Sequence, residues 1–322
     1  MALSDRSGLI WGVRLADAKY CDEDWLERLA ADDPLWLHLD LADARARDWL
    51  KGRREIPAEA CELLLGSEVR IHVELLPGAF AAVLGDLYHD FDFDPERLGV
   101  LRLYVDAKLV LSGRTHPLRS VDVLRRDLQG GSDVLTTTAV LQSLIEHLAG
   151  SLTKVASELA ERVDDAEERI LEGKFAGEGS SLGKLRRLVA KLRRLVGANR
   201  GALSSLPPAL PGLYDLEEGK SLRSAIERLD AVGQDLELVQ ERARLLQEEI
   251  ASNMNEATNR NLFVLSIMTT TLLPVTLITG IFGMNVRGLP VADHPHGFYW
   301  VMFFMGLTVL VALWVLRRVG AL

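Results

Sequence analysis

Residues 262–284 read LFVLSIMTTTLLPVTLITGIFGM, and residues 298–316 read FYWVMFFMGLTVLVALWVL; these runs of 23 and 19 residues contain no charge. A helix rises about 1.5 Å per residue, so about 20 apolar residues cross a hydrocarbon core. Two such runs, divided only by a short loop, predict membrane-spanning helices at residues 261–285 and 298–316. The competing expectation is a pair of buried core helices. Soluble cores rarely supply two uncharged runs of this length back to back.

The flanks set the direction. Arg260 precedes the first run, and Arg317 and Arg318 follow the second. The positive-inside preference therefore places both termini and the tail 317–322 in the cytoplasm, with the loop 286–297 outside. Arg287 in that loop runs against the rule but is outnumbered. Phe298, Tyr299 and Trp300 form the aromatic cluster expected at an interface.

The two runs differ in chemistry. The second is almost wholly apolar and suits contact with lipid. The first carries Ser266, Thr269, Thr270, Thr271, Thr276 and Thr279, with Pro274 among them. A few hydroxyls mean little, because they bond back to their own helix. Six in one span, ending at Asn285, predict the lining of a hydrated path. One helix cannot enclose a path, so that lining requires several copies of the chain.

The remainder is acidic and soluble in character. The formal charge is −9, yet residues 262–316 hold a single acid, Asp293. Net acidity excludes nucleic acid as the main partner, since phosphate binding needs a basic face. Cys21 and Cys61 lack a C-x-x-C spacing and read as small hydrophobes in a reducing compartment. The N-terminal residues show no basic-then-apolar leader, so the first 250 residues are expected to stay cytoplasmic.

Residues 1–133 mix strand-like runs (9–15, 35–41, 69–76, 78–88, 100–113) with helical stretches at 43–51 and 121–128, predicting an α/β domain. In the second run Trp36, His38 and Asp40 alternate with Leu35, Leu37, Leu39 and Leu41. Residues 134–260 read as a helical, coiled-coil stalk. A first helix is followed by a turn at 176–181, then by the heptad repeat KLRRLV-A-KLRRLV at 184–196. Prolines at 207, 208 and 211 break that helix, and a third starts near Lys220. With no break before Leu262, residues 220–283 predict one rod of about 95 Å.

Gly283, Met284 and Asn285 close the first of two C-terminal spans, preceded by LLPVTLITGIFGMN. In that position, with the stalk and α/β domain upstream, the whole chain resembles the CorA superfamily of divalent-cation transporters. Its magnesium and cobalt branch continues with an acid-bearing "MPEL"-like segment. Here the text is VRGLPVADHPHGFYW, similar to the ZntB-like zinc-transporter branch, although Arg287 stands where a small residue is commoner there. The resemblance implies a funnel-shaped homopentamer in a bacterial inner membrane. It would move Zn2+ inward with proton coupling, whereas the magnesium branch behaves as a gated Mg2+/Co2+ channel. The cation is cargo, and no resident cofactor is expected. A rival of another class is a non-conducting, membrane-anchored coiled-coil scaffold.

The resemblance also implies site residues. Gly283, Met284 and Asn285 form the pore mouth, with the Asn285 carbonyl facing a hydrated cation; a helix C-cap is the plainer reading of Asn285. Thr276, Leu273, Leu265, Asn259 and Glu248 fall on pore-lining positions, for which interhelical packing is the alternative. Leu265 and Leu273 would be hydrophobic constrictions that gate by dewetting. In the loop, Asp293, His294 and His296 carry groups suited to Zn2+ and protons, or make a solvated turn.

Two other clusters read as ordinary surface. HDFDFDPER at 89–97 fails as an EF-hand, with Pro95 at the sixth position and Leu101 at the twelfth, so a polar hairpin loop is expected. Asp164, Asp165, Glu167 and Glu168 form a solvated helix face or pair with the Arg-rich repeat. No nucleophile–base pair and no Gly-rich phosphate loop is present, so no enzymatic chemistry is expected.

Overall fold

The computed structural model describes residues 8–16, 19–21, 33–67, 69–94, 98–130, 136–284, 289 and 295–318. The chain divides into two compact units, residues 1–247 and 248–322.

The first unit is built on a seven-stranded sheet of order β2-β1-β3-β7-β6-β5-β4. Its strands are β1 (Leu9–Arg14), β2 (Lys19–Cys21), β3 (Leu35–Asp40), β4 (His72–Leu76), β5 (Ala79–Leu87), β6 (Leu98–Val105) and β7 (Leu109–Arg114). All neighbours are antiparallel except β3 and β7, which run parallel. The run 100–113 is thus two strands. Asp106 turns them by accepting the Lys108 and Leu109 N–H groups, each at 2.8 Å.

Helices cover both faces. Residues of α1 (Ala44–Lys51) and α2 (Ala58–Leu65) share one core with Leu35, Leu37 and Leu39. Against the sheet also lie α3 (Arg119–Gln129), α4 (Thr137–Leu171) and α5 (Glu178–Leu203). Of the alternating set, Trp36 and His38 are therefore fully buried and Asp40, at the strand end, is half-buried. Trp36 Nε1 donates to Ser112 Oγ at 2.8 Å, His38 Nδ1 lies 2.7 Å from the same oxygen, and the His38 ring stacks on Trp11. Burial, then Arg114 and Arg125, holds the His38 pKa well below the ordinary histidine value. Asp86 is also buried. Its carboxylate accepts from the Ser120 hydroxyl and N–H at the start of α3, yet burial pushes it up to about 6.

The sequence reading misses β2 and α2, both short. It also places the turn before the heptad repeat too late, since α5 begins at Glu178 after Gly177, which is left-handed at φ 84°. The third stalk helix, α6, spans Leu216–Phe282 without interruption. It starts four residues earlier than Lys220 because Asp215 and Glu218 form a capping box. Asp215 Oδ1 accepts the Glu217 and Glu218 N–H groups at 2.9 Å, and Glu218 Oε2 accepts the Asp215 N–H at 3.2 Å.

The acidic face of α4 does not pair with the Arg-rich repeat. Asp164 and Glu167 instead hold Arg242 of α6, at 2.6 and 2.7 Å. The repeat turns part of its own charge to α6, where Arg186 donates to Gln247 and Arg193 meets Gln240 and Glu237; beyond the repeat, Arg200 meets Asp230. Cys61 is a free, half-buried thiol pushed up by burial. The Cys21 side chain lies outside the described residues.

The second unit comprises the rest of α6 and α7 (Gly297–Arg318). Neither apolar window is buried within the chain, which removes the core-helix reading. A Leu or Phe left in water forgoes about 1.5–3 kcal/mol of burial, and this unit exposes more than a dozen large apolar side chains. A bilayer is the solvent that resolves this.

Candidate functional site

Within the second unit the two spans carry matching stripes of partly covered residues. On α6 they are Ile267, Thr271, Pro274, Val275 and Ile278; on α7 they are Val301, Met305, Thr308, Val309, Ala312 and Leu316. Spacings of three and four are those of one helix face, the pattern that helix packing generates. Leu265, Thr269, Leu273 and Thr276 lie on the other side of α6, roughly 180° from that stripe at 100° per residue. All four are exposed.

Glu248 and Asn259 extend the same side toward the start of the unit, and both are exposed. With Leu265, Leu273 and Thr276 they fall within a sector of roughly 120° on a regular helix. Thr269 belongs to this sector as well. It was legible in the sequence as the residue four from both Leu265 and Leu273, but the expected pore set omitted it.

The hydroxyls on this side are already oriented. Thr269 Oγ1 donates to Leu265 O and Thr276 Oγ1 to Leu272 O, each at 2.8 Å; Thr279 Oγ1 lies 3.0 Å from Thr276 O and 3.1 Å from Val275 O. This is the back-bonding that made a few hydroxyls uninformative. It has a chemical consequence, however. With its proton committed to a carbonyl, each oxygen presents only lone pairs outward, which favours a cation's hydration shell over an anion. Pro274, in the partly covered stripe, supplies no N–H, so the Thr270 carbonyl loses its helical donor.

The helix ends at the motif. The Gly283 N–H donates to Thr279 O at 2.8 Å, and the Met284 N–H to Ile281 O at 3.3 Å. A Cβ at residue 283 would come within 2.9 Å of Thr279 O, so glycine closes this turn without displacement. Asn285, Asp293 and His294 lie outside the described residues. His296 sits just before α7, its ring 6.4 Å from that of Tyr299. At the other end of α7 the Arg318 guanidinium lies 5.2 Å from the Trp314 ring, a cationic and aromatic pair suited to an interface.

Among the described residues no three His, Cys, Asp or Glu side chains converge as a metal site. In the 89–94 loop His89 turns to Asp122 at 3.2 Å, and Phe93 takes a left-handed backbone at φ 67°.

Comparison with known proteins agrees with this architecture. The family model described as "CorA-like Mg2+ transporter protein" matches residues 31–318. The divalent cation transporter CmaX of Pseudomonas aeruginosa is 30% identical over 90% of this chain and 88% of its own length. The zinc transport protein ZntB of Yersinia enterocolitica is 30% identical over 87% of this chain and 85% of its own. The solved structure of full-length CmaX superposes with a TM-score of 0.83 at 29% identity, covering 98% of both chains. The complete CorA magnesium transporter of Methanocaldococcus jannaschii gives 0.78 at 18% identity over 94% of this chain and 95% of that one, a likeness of fold. The chain belongs to the CorA-like Mg2+ transporter family.

Proposed function

We propose that this divalent-cation transporter takes up Zn2+ across a bacterial inner membrane, through a path lined by α6 from five copies of the chain. The observation that carries the reading is the uncovered side of α6, where Leu265, Thr269, Leu273 and Thr276 stand opposite the partly covered stripe. Copies joined around an axis would turn that side inward, alternating apolar constrictions with rings of hydroxyl oxygen. Glu248 and Asn259 would continue the path on the cytoplasmic side, and Gly283, Met284 and Asn285 would form its outer mouth.

The preference for Zn2+ draws on the ZntB relatives and on a loop that offers Asp293, His294 and His296 in place of an acid-only segment. Both termini are cytoplasmic in this reading, from Arg260, Arg317 and Arg318. Proton coupling would draw on the loop histidines. The Mg2+/Co2+ channel is the second reading, favoured by the description of the matching family model.

Flux into proteoliposomes separates these. The proposal expects Zn2+ uptake that exceeds Mg2+ uptake, rises with an inward proton gradient and falls in Asn285→Ala. Equal Mg2+ and Zn2+ flux, indifferent to the gradient, would establish the channel reading. No flux of either ion would leave a scaffold.

A further inference from the structure

The heptad repeat holds six cations, and the structure sends five of them to two sides. Arg186 and Arg193 bond to α6. Lys184, Arg187 and Lys191 share another face at spacings of three and four and line a cavity of about 710 Å³ between α5, α4 and the 89–94 loop. Two of the α4 acids that could neutralise them, Asp164 and Glu167, bind Arg242 instead, which leaves Asp165 as the α4 acid in the lining. No ion pair joins Lys184, Arg187 or Lys191 to any carboxylate among the described residues. Like charges at such spacing repel one another along a helix.

The opposite wall adds more positive charge. Arg162 and Arg169 project from α4 into the same cavity. The Arg162 guanidinium lies 3.7 Å from the centre of the Phe93 ring, and Arg169 grips Glu178 at 2.6 and 3.1 Å. Asp92 and Asp165 are the acids in the lining, against five cations. Leu159, Leu182 and Leu188 make the floor, and Leu182 and Leu188 are themselves buried. In a chain of net charge −9 this is a local excess of positive charge over an apolar base.

From this arrangement we infer that the α4–α5 groove binds a small phosphate-rich anion of about nucleoside-triphosphate size. Lys184 to Lys191 spans about 10 Å along the helix, enough for several phosphoryl groups in a row. Guanidinium groups on both walls match phosphate oxygens in pairs. The Phe93 ring and the leucine floor accept a planar or apolar body beside the phosphates. Such a ligand would relieve the repulsion within α5 and bridge α5 to α4. The site is independent of the ion path and of which cation is carried.

The test is calorimetric titration of the full-length protein in neutral detergent, at low salt and with chelator present. The probes are ATP and inorganic tripolyphosphate, with sulfate as the simple-anion control. The inference expects both polyphosphates to bind more tightly than sulfate. Arg187→Ala/Lys191→Ala should weaken them by about tenfold or more, and Lys220→Ala, far along the sequence and paired with Glu217, should not. Tighter binding of ATP than of tripolyphosphate assigns the apolar floor to a nucleotide; equal binding assigns an inorganic chain. The inference is overturned if neither polyphosphate binds, or if the double variant binds them unchanged. It is also overturned if the protein captures only vesicles containing phosphatidylglycerol and tripolyphosphate does not compete.

Discussion

Asn199 of α5 holds both backbone groups of Gly85 in β5: its Oδ1 accepts the Gly85 N–H at 2.8 Å and its Nδ2 donates to the Gly85 carbonyl at 2.7 Å. The partner strand β4 pairs with β5 only as far as Val83, so a side-chain amide continues the ladder where the strand stops. Glycine is needed opposite it, because a Cβ at residue 85 would collide with Leu195 at 2.1 Å.

Asn199→Ala therefore leaves a buried donor and a buried acceptor unmet, at about 1–3 kcal/mol each. A clear fall in melting temperature of the full-length protein is expected. Asn199→Asp should fall between the two, since it keeps the acceptor but sets a carboxylate oxygen against the Gly85 carbonyl. An Ala variant that melts with the wild type would show that the amide is dispensable.

His38 and Asp86 predict opposing pH dependences. The folded His38 pKa is depressed, so its contribution to stability is complete above about 6.5 and lost as pH falls. The folded Asp86 pKa is raised from 3.8 to about 6, so its contribution is complete at low pH and lost as pH rises through that interval. Between pH 4 and 6 the two slopes oppose, each limited to about 1.4 kcal/mol per pH unit. His38→Asn should thus gain stability relative to wild type on acidification over this range, and Asp86→Asn should lose it. Melting temperatures across the pH series check the signs. Parallel curves for all three proteins would refute the assignment.

Arg242 joins α6 to α4 through a half-exposed pair of carboxylates. Exposed ion pairs contribute little, so Arg242→Ala should cost about 0.5–1 kcal/mol, and the difference should shrink at high salt. A loss of several kcal/mol, unchanged by salt, would point to packing by the arginine stem instead.

The spans and the uninterrupted α6 were legible because they rest on long-range, single-signal patterns: uncharged length, and a seam that reaches Leu262 with no proline or glycine after Ile250. The paired strands β6 and β7 merged into one run because their three-residue turn, closed by Asp106, interrupts an apolar stretch so briefly. Alternation in β3 left open what lies on the second face. Trp36 and His38 look polar at one end but are buried by helices on the second face, with Ser112 supplying the partner, and a partner 74 residues away is not written locally. The destination of the α4 acids was equally hidden. Both Arg242 and the heptad repeat offered charge, and only the rotation of the three helices decides between them. The spacing of Leu265, Leu273 and Thr276 on one side of α6 was legible in the sequence, while the partly covered stripe on the opposite side needed the second helix in place.

The central claim is that the side of α6 bearing Leu265, Thr269, Leu273 and Thr276 faces a shared aqueous path. Single cysteines introduced along 262–280, in a chain with Cys21 and Cys61 replaced by serine, test it through block of cation uptake by a thiol reagent small enough to enter the path. The account predicts block at 265, 269, 273 and 276, and none at 264, 271, 275 and 278 on the opposite side. Block confined to that second set, or block without helical periodicity, would contradict it.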